Sequence, residues 1–100
     1  MNQRLITIEQ IQKITADYYK IRVSDILSSK RDKKSTLPRH MAMALCKDLT
    51  NNSLPSIGDG FGGRDHTTVL HANNKIQKLR KEDSQIAQDY INIVHILNNG

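Results

Sequence analysis

Phe61-Gly62-Gly63-Arg64-Asp65-His66-Thr67-Thr68-Val69-Leu70-His71-Ala72 joins a turn, a helix start and a row of polar side chains in one short stretch. Gly62 and Gly63 tolerate backbone angles that other residues resist, and Asp65 can cap the next helix by accepting from the amides of Thr67 or Thr68. At about 100° per residue, Val69, Ala72, Ile76 and Leu79 fall on one narrow arc of that helix. Thr67, His71, Asn74, Lys75 and Lys78 lie roughly opposite, with no acid among them. One side seeks a core and the other seeks an anion.

Upstream, Ser53 suits the cap of a short helix from Leu54-Pro55 to about Phe61. A short helix, a glycine turn and a second helix over residues 65 to about 80 form a helix-turn-helix pattern. Towards the N-terminus, Thr7-Ile8-Glu9-Gln10 is a capping box that opens a helix with Ile8, Ile11, Ile14 and Tyr18 on one face, ending near Tyr19. Ser24 to Leu27 permits only a short helix. Lys30-Arg31-Asp32-Lys33-Lys34 places four cations in five positions without apolar periodicity, which predicts an exposed loop, flexible until it meets a partner. Thr36 and Pro38 suit the start of a central helix whose Met41, Ala42, Leu45, Cys46 and Leu49 recur until Asn51-Asn52. A last helix starts near Asp83 or Ser84 and buries Ile86, Tyr90, Ile93, Val94 and Leu97. No segment alternates like a strand. The expected fold is all-α, a compact helical domain over residues 7–100, with residues 1–6 as a linker or the start of the chain.

One hundred residues with 37% hydrophobic content support a single core. The net charge of +5 favours a polyanionic partner, either nucleic acid or an anionic membrane surface. Cys46 is the only cysteine, so no internal disulfide forms and a reducing cytoplasm is expected. No run approaches the roughly 18 apolar residues of a membrane span.

In a helix-turn-helix the first residues of the second helix meet base edges in the major groove, and here those are Asp65, His66 and Thr67. Asp65 can accept from a cytosine amino group; Asp is also a preferred cap, and both roles stand open. Phosphates would be met by Arg39, Lys47, Arg64, Thr68, His71 and Lys75, although any one of these cations can equally be a solvated surface charge. Arg31 is the one arginine in the basic run and could enter a narrow AT-rich minor groove.

Other chemistries fare worse. Gly58-x-Gly60-x-x-Gly63, with Asp83 downstream, matches the dinucleotide fingerprint but lacks the strands on either side that the fingerprint requires. His66 and Thr67 are adjacent and point about 100° apart, which does not suit a base and its nucleophile, so no catalytic residues are assigned. His66 and His71, five apart, miss the zinc spacing. No metal and no cofactor is expected. Cys46, Tyr18, Tyr90 and Phe61 read as core residues.

From Ile57-Gly58-Asp59-Gly60-Phe61 through Ala72 the chain resembles the C-terminal DNA-binding domain of the DnaA family of bacterial replication initiators. Tyr18-Tyr19-Lys20-Ile21, Lys30-Arg31 and Pro38-Arg39-His40-Met41-Ala42-Met43-Ala44-Leu45 extend the likeness over nearly the whole chain. The resemblance implies an embellished helix-turn-helix that binds double-stranded DNA at an AT-rich box resembling TTATCCACA in the replication origin. By the same resemblance Arg31 enters the minor groove, Asp65, His66 and Thr67 read bases, and Arg39, Lys47, Thr68, His71, Arg64 and Lys75 meet the backbone. His40 stands where many relatives have glutamine; its imidazole can still donate to a phosphate, and that contact would then depend on pH. The ATPase module of full-length relatives has no counterpart in these residues, so the domain itself is not expected to be an enzyme. ATP binding and assembly with other copies fall to a parent protein in the bacterial cytoplasm, associated with the nucleoid. The family also binds acidic phospholipids, and Asn2 to Lys20 is the segment here that could retain a trace of that. A peripheral anionic-membrane or protein-interaction module is the rival reading.

Overall fold

In the computed structural model, which describes residues 5–99, Thr7 is extended and its hydroxyl accepts from the Gln10 amide at 3.1 Å. Gln10 Oε1 accepts in return from the Thr7 amide at 2.9 Å. This capping box opens α1 (Ile8–Tyr19), and Lys20 closes it in the left-handed region at φ 60°. There follow α2 (Val23–Leu27), α3 (Lys33–Leu49), α4 (Leu54–Gly60), α5 (His66–Glu82) and α6 (Ser84–Asn99). No strand occurs among the described residues, so the fold is all-α as expected. Residues 1–4 of the expected leading linker, and part of the segment considered for lipid, lie outside the described residues. Leu5 is exposed, whereas Ile6 already packs against the core.

The centre is α3. Met41 to Cys46 are six consecutive residues with no exposure, which is possible only for a helix covered on all sides. α5 forms its most extensive partner surface, with α1, α2 and α4 around it, and α6 closes the bundle by packing on α1 and α5. Two acid–phenol links fasten α6. Asp89 accepts from Tyr18 Oη at 2.7 Å and Tyr19 Oη at 3.0 Å, and Asp48 accepts from Tyr90 Oη and from Gln77 Nε2. The Arg80 guanidinium lies 3.6 Å from the centroid of the Tyr90 ring. Burial raises the Tyr19 and Tyr90 pKa values, so both phenols stay protonated and donate.

α3 begins earlier than its sequence suggests. Asp32 is extended and its carbonyl accepts from the amides of Ser35 and Thr36, which makes Lys33 and Lys34 the first turn of a helix and not part of a loop. Pro38 therefore sits inside the helix. It removes the amide that would bond the Lys34 carbonyl, and because Lys34 is exposed, water can serve that carbonyl instead.

The turn between α4 and α5 is set by Gly58. Its carbonyl accepts from the amides of Phe61 and Arg64, at 3.0 and 2.9 Å, and a β-carbon on Gly58 would lie 2.0 Å from the Arg64 carbonyl oxygen. Gly63 differs: its φ is 77°, and a β-carbon there would find nothing within 4 Å. Gly63→Ala should therefore cost only left-handed strain, about 1–2 kcal/mol. Gly58→Ala must move backbone and should cost about 3 kcal/mol, the upper end for overpacking. Thermal unfolding checks this at about 4–8 °C per kcal/mol, and equal losses would remove the Arg64 contact as the reason for glycine at position 58.

Candidate nucleic-acid interface

The reading row stands where a helix tip meets solvent. Asp65 is the N-cap of α5, extended at φ −65° and ψ 149°, and its Oδ1 accepts from the Thr67 amide at 3.5 Å. Asp65, His66, Thr67 and Thr68 are all exposed, while Val69, Ala72 and Ile76 are buried. Capping by the Thr67 amide holds the Asp65 carboxyl below the usual carboxylate range, with His66 adding to the effect, so this group is an anion at neutral pH. His66 Nδ1 lies 2.8 Å from Asp65 Oδ1. A carboxylate only accepts, so Nδ1 carries a proton, which fixes Nε2 as the second position that can face a partner. One carboxylate thus both starts the helix and sets the tautomer of its neighbour.

His71, Asn74, Lys75 and Lys78 continue along the exposed side of α5. His40 and Lys75 line one cleft of about 430 Å³ between α3, α5 and the start of α6, whose walls also carry Lys33, Thr36, the acid Asp83 and the apolar Leu37, Leu79 and Ile86. Lys47 is exposed near the C-terminal end of α3 and does not line that cleft. Arg31 is exposed in the α2–α3 connection. In the sequence Lys33 is one of four cations in a basic run with no fixed direction; the start of α3 at Lys33 is what gives it one.

Arg39 and Arg64 depart from the expected picture of free cations awaiting phosphate. Arg39 is only 5% exposed; its Nε donates to the Ile26 carbonyl at 2.6 Å, Nη1 to Lys30 at 2.9 Å and Nη2 to Asp25 at 3.1 Å. Arg64 Nη1 donates to the carbonyls of Phe61 at 2.6 Å and Leu27 at 3.3 Å, and Nη2 to Ser28 at 2.5 Å. One cause is the shortness of α2: its Ile26 and Leu27 carbonyls lie in the last turn and take guanidinium N–H groups, while the Asp25 carbonyl, already bonded by the amide and hydroxyl of Ser28, takes a further one. A sequence signal for Arg39 existed. Ser35, Arg39, Ala42 and Cys46 recur at helical spacing and all are buried, so Arg39 stands within the inward stripe.

A family model described as bacterial dnaA protein helix-turn-helix matches residues 8–76. The chain belongs to that family. The match runs from the first residue of α1 into α5, and so takes in the helix-turn-helix, the Arg31 connection and both arginines just described. The DnaA helix-turn-helix is a DNA-binding and not a catalytic domain. The glycines of the apparent dinucleotide fingerprint have other uses in it: Gly58 admits the Arg64 carbonyl, a β-carbon on Gly60 would come 3.1 Å from Ile8 Cγ2, and Gly63 takes a positive φ. Among the described residues no helix is long and apolar enough to cross a membrane, and no group of three or more metal-ligating side chains gathers.

His40 carries a pH signature. Burial, then the charges of Lys75, Arg39 and Arg64, lowers its pKa below the ordinary 6.5, so the folded chain holds this proton less tightly than the unfolded chain. Falling pH then favours unfolding: the His40 contribution is intact above about pH 6.5 and is lost from there down to the lower folded value. Melting temperature should therefore decline less between about pH 7 and pH 5.5 in His40→Gln than in the parent. Parallel declines would assign the effect to other groups.

Proposed function

We propose that this domain binds duplex DNA sequence-specifically at AT-rich DnaA boxes resembling TTATCCACA, and so places a replication initiator at the chromosomal origin in the bacterial cytoplasm. The observation that carries the reading is the tip of α5, where Asp65, His66, Thr67 and Thr68 are exposed in sequence while the opposite face is locked into the core. In this reading Asp65, His66 and Thr67 meet base edges in the major groove and Arg31 enters the adjacent minor groove. Thr68, His71, Lys75, His40 and Lys47 hold phosphates and fix the register. ATP hydrolysis, and assembly with further copies, belong to the parent initiator.

Titration against a box-containing and a scrambled duplex should give clearly tighter binding to the box. If about six to ten phosphates are contacted, affinity should fall by roughly a thousandfold or more between about 50 and 200 mM salt. Equal affinity for the two duplexes defeats the specificity claim, and a flat salt response defeats the phosphate claim. Tighter binding to anionic vesicles than to the box would instead favour a membrane-surface module.

Asp65→Asn separates reading from capping, because the amide oxygen can still accept from the Thr67 amide and from His66. Loss of box discrimination at unchanged melting temperature is expected. Unchanged discrimination would leave Asp65 the capping role alone.

A further inference from the structure

The two inward-facing arginines act on one short segment. Arg39, from α3, and Arg64, from the helix-turn-helix turn, together donate to the carbonyls of Asp25, Ile26, Leu27, Ser28 and Lys30. The next residue in the chain is Arg31. Arg64 also immediately precedes Asp65, the cap of the reading helix, and its own amide and carbonyl are fixed against Gly58. Gly62 completes the seat, since a β-carbon there would lie 3.3 Å from the Leu27 carbonyl oxygen. The connection carrying Arg31 and the tip of α5 are thus joined by side chain-to-backbone bonds, although they are more than thirty residues apart in sequence.

We infer that Arg39 and Arg64 are positioning residues for Arg31: by holding the carbonyls of residues 25–30 they set the distance between the minor-groove arginine and the major-groove tip of α5. The inference rests on the DNA-binding reading proposed above. A lysine cannot replace either arginine in this role. Its single ammonium carries the same charge but cannot span carbonyls that point from successive residues, whereas a planar guanidinium with five N–H donors can. Arg39 is too buried to be a simple phosphate contact, and Arg64 spends both Nη1 protons on Leu27 and Phe61. Charge and position are therefore separable by mutation.

The test is a double-mutant cycle on box-containing duplex with the parent, Arg31→Ala, Arg64→Lys and the double variant. Each single change should weaken box binding about tenfold, the scale of one good groove contact. The double variant should also be weakened about tenfold, because an arginine held out of place and an absent one are equivalent. Replacing the AT-rich half of the box should weaken the parent but not Arg64→Lys. Losses that multiply to about a hundredfold, or parent-like binding by Arg64→Lys, overturn the inference while leaving box binding by the parent intact. Failure of the parent itself to prefer the box defeats the DNA reading, and this inference with it. Should Arg64→Lys not fold, a glycine inserted between Lys30 and Arg31 leaves all six guanidinium bonds in place, and an exposed connection tolerates the insertion. It should reproduce the tenfold loss at nearly unchanged melting temperature. Parent-like binding by that variant overturns the inference equally.

Discussion

Two guanidiniums closing the open end of a five-residue helix are the constraint on which this molecule turns. A helix as short as α2 satisfies almost none of its own carbonyls, and it would not persist alone. Arg39 reaches it from the central helix and Arg64 from the turn before the recognition helix, so one set of bonds stabilises α2, seats the turn and anchors the connection to α3. Burial and the nearby charge of Arg64 lower the Arg39 pKa, but the guanidinium remains far too basic to lose its proton. A desolvated cation is costly, and here carbonyl dipoles in direct contact, with the charge of Asp32 behind them, offset the cost.

This arrangement divides the basic residues into two kinds that composition cannot separate. The net charge of +5 counts Arg39 and Arg64 equally with Arg31, Lys47 and Lys75. Only the exposed ones are free to exchange counterions for phosphate. The acids divide by partner instead. Asp89, buried, and Asp48, itself exposed, accept from tyrosines to fasten α6, whereas Asp65 couples a helix start to the ring of His66.

Much of this was legible beforehand, because the signals are local. The capping box at Thr7, the caps at Ser53 and Asp65 and the apolar arc Val69, Ala72, Ile76 each depend on residues within one or two turns of one another. The start of α3 is less legible, because its first turn carries no apolar period. Four cations in five positions look like a loop and Pro38 looks like a helix start, yet an extended Asp32, whose carbonyl accepts from the Ser35 and Thr36 amides, begins the helix, and a helix already packed along its length tolerates Pro38. Gly58, Gly60 and Gly63 show how spacing misleads when it is read without its surroundings: three glycines at a nucleotide-binding interval answer three unrelated steric demands.

The sequence by itself determined the helical periods, most of the caps, the family and the row of side chains at the tip of α5, since all of these follow from neighbours along the chain. Only the tertiary structure decided which cations face solvent. Arg39 and Arg64 look like any other surface base in sequence, and their partners are backbone carbonyls, which every residue carries and no sequence pattern marks. It likewise decided that His40 and Lys75, on different helices, share one cleft. Contacts of that kind exist only once α3 has packed against α5.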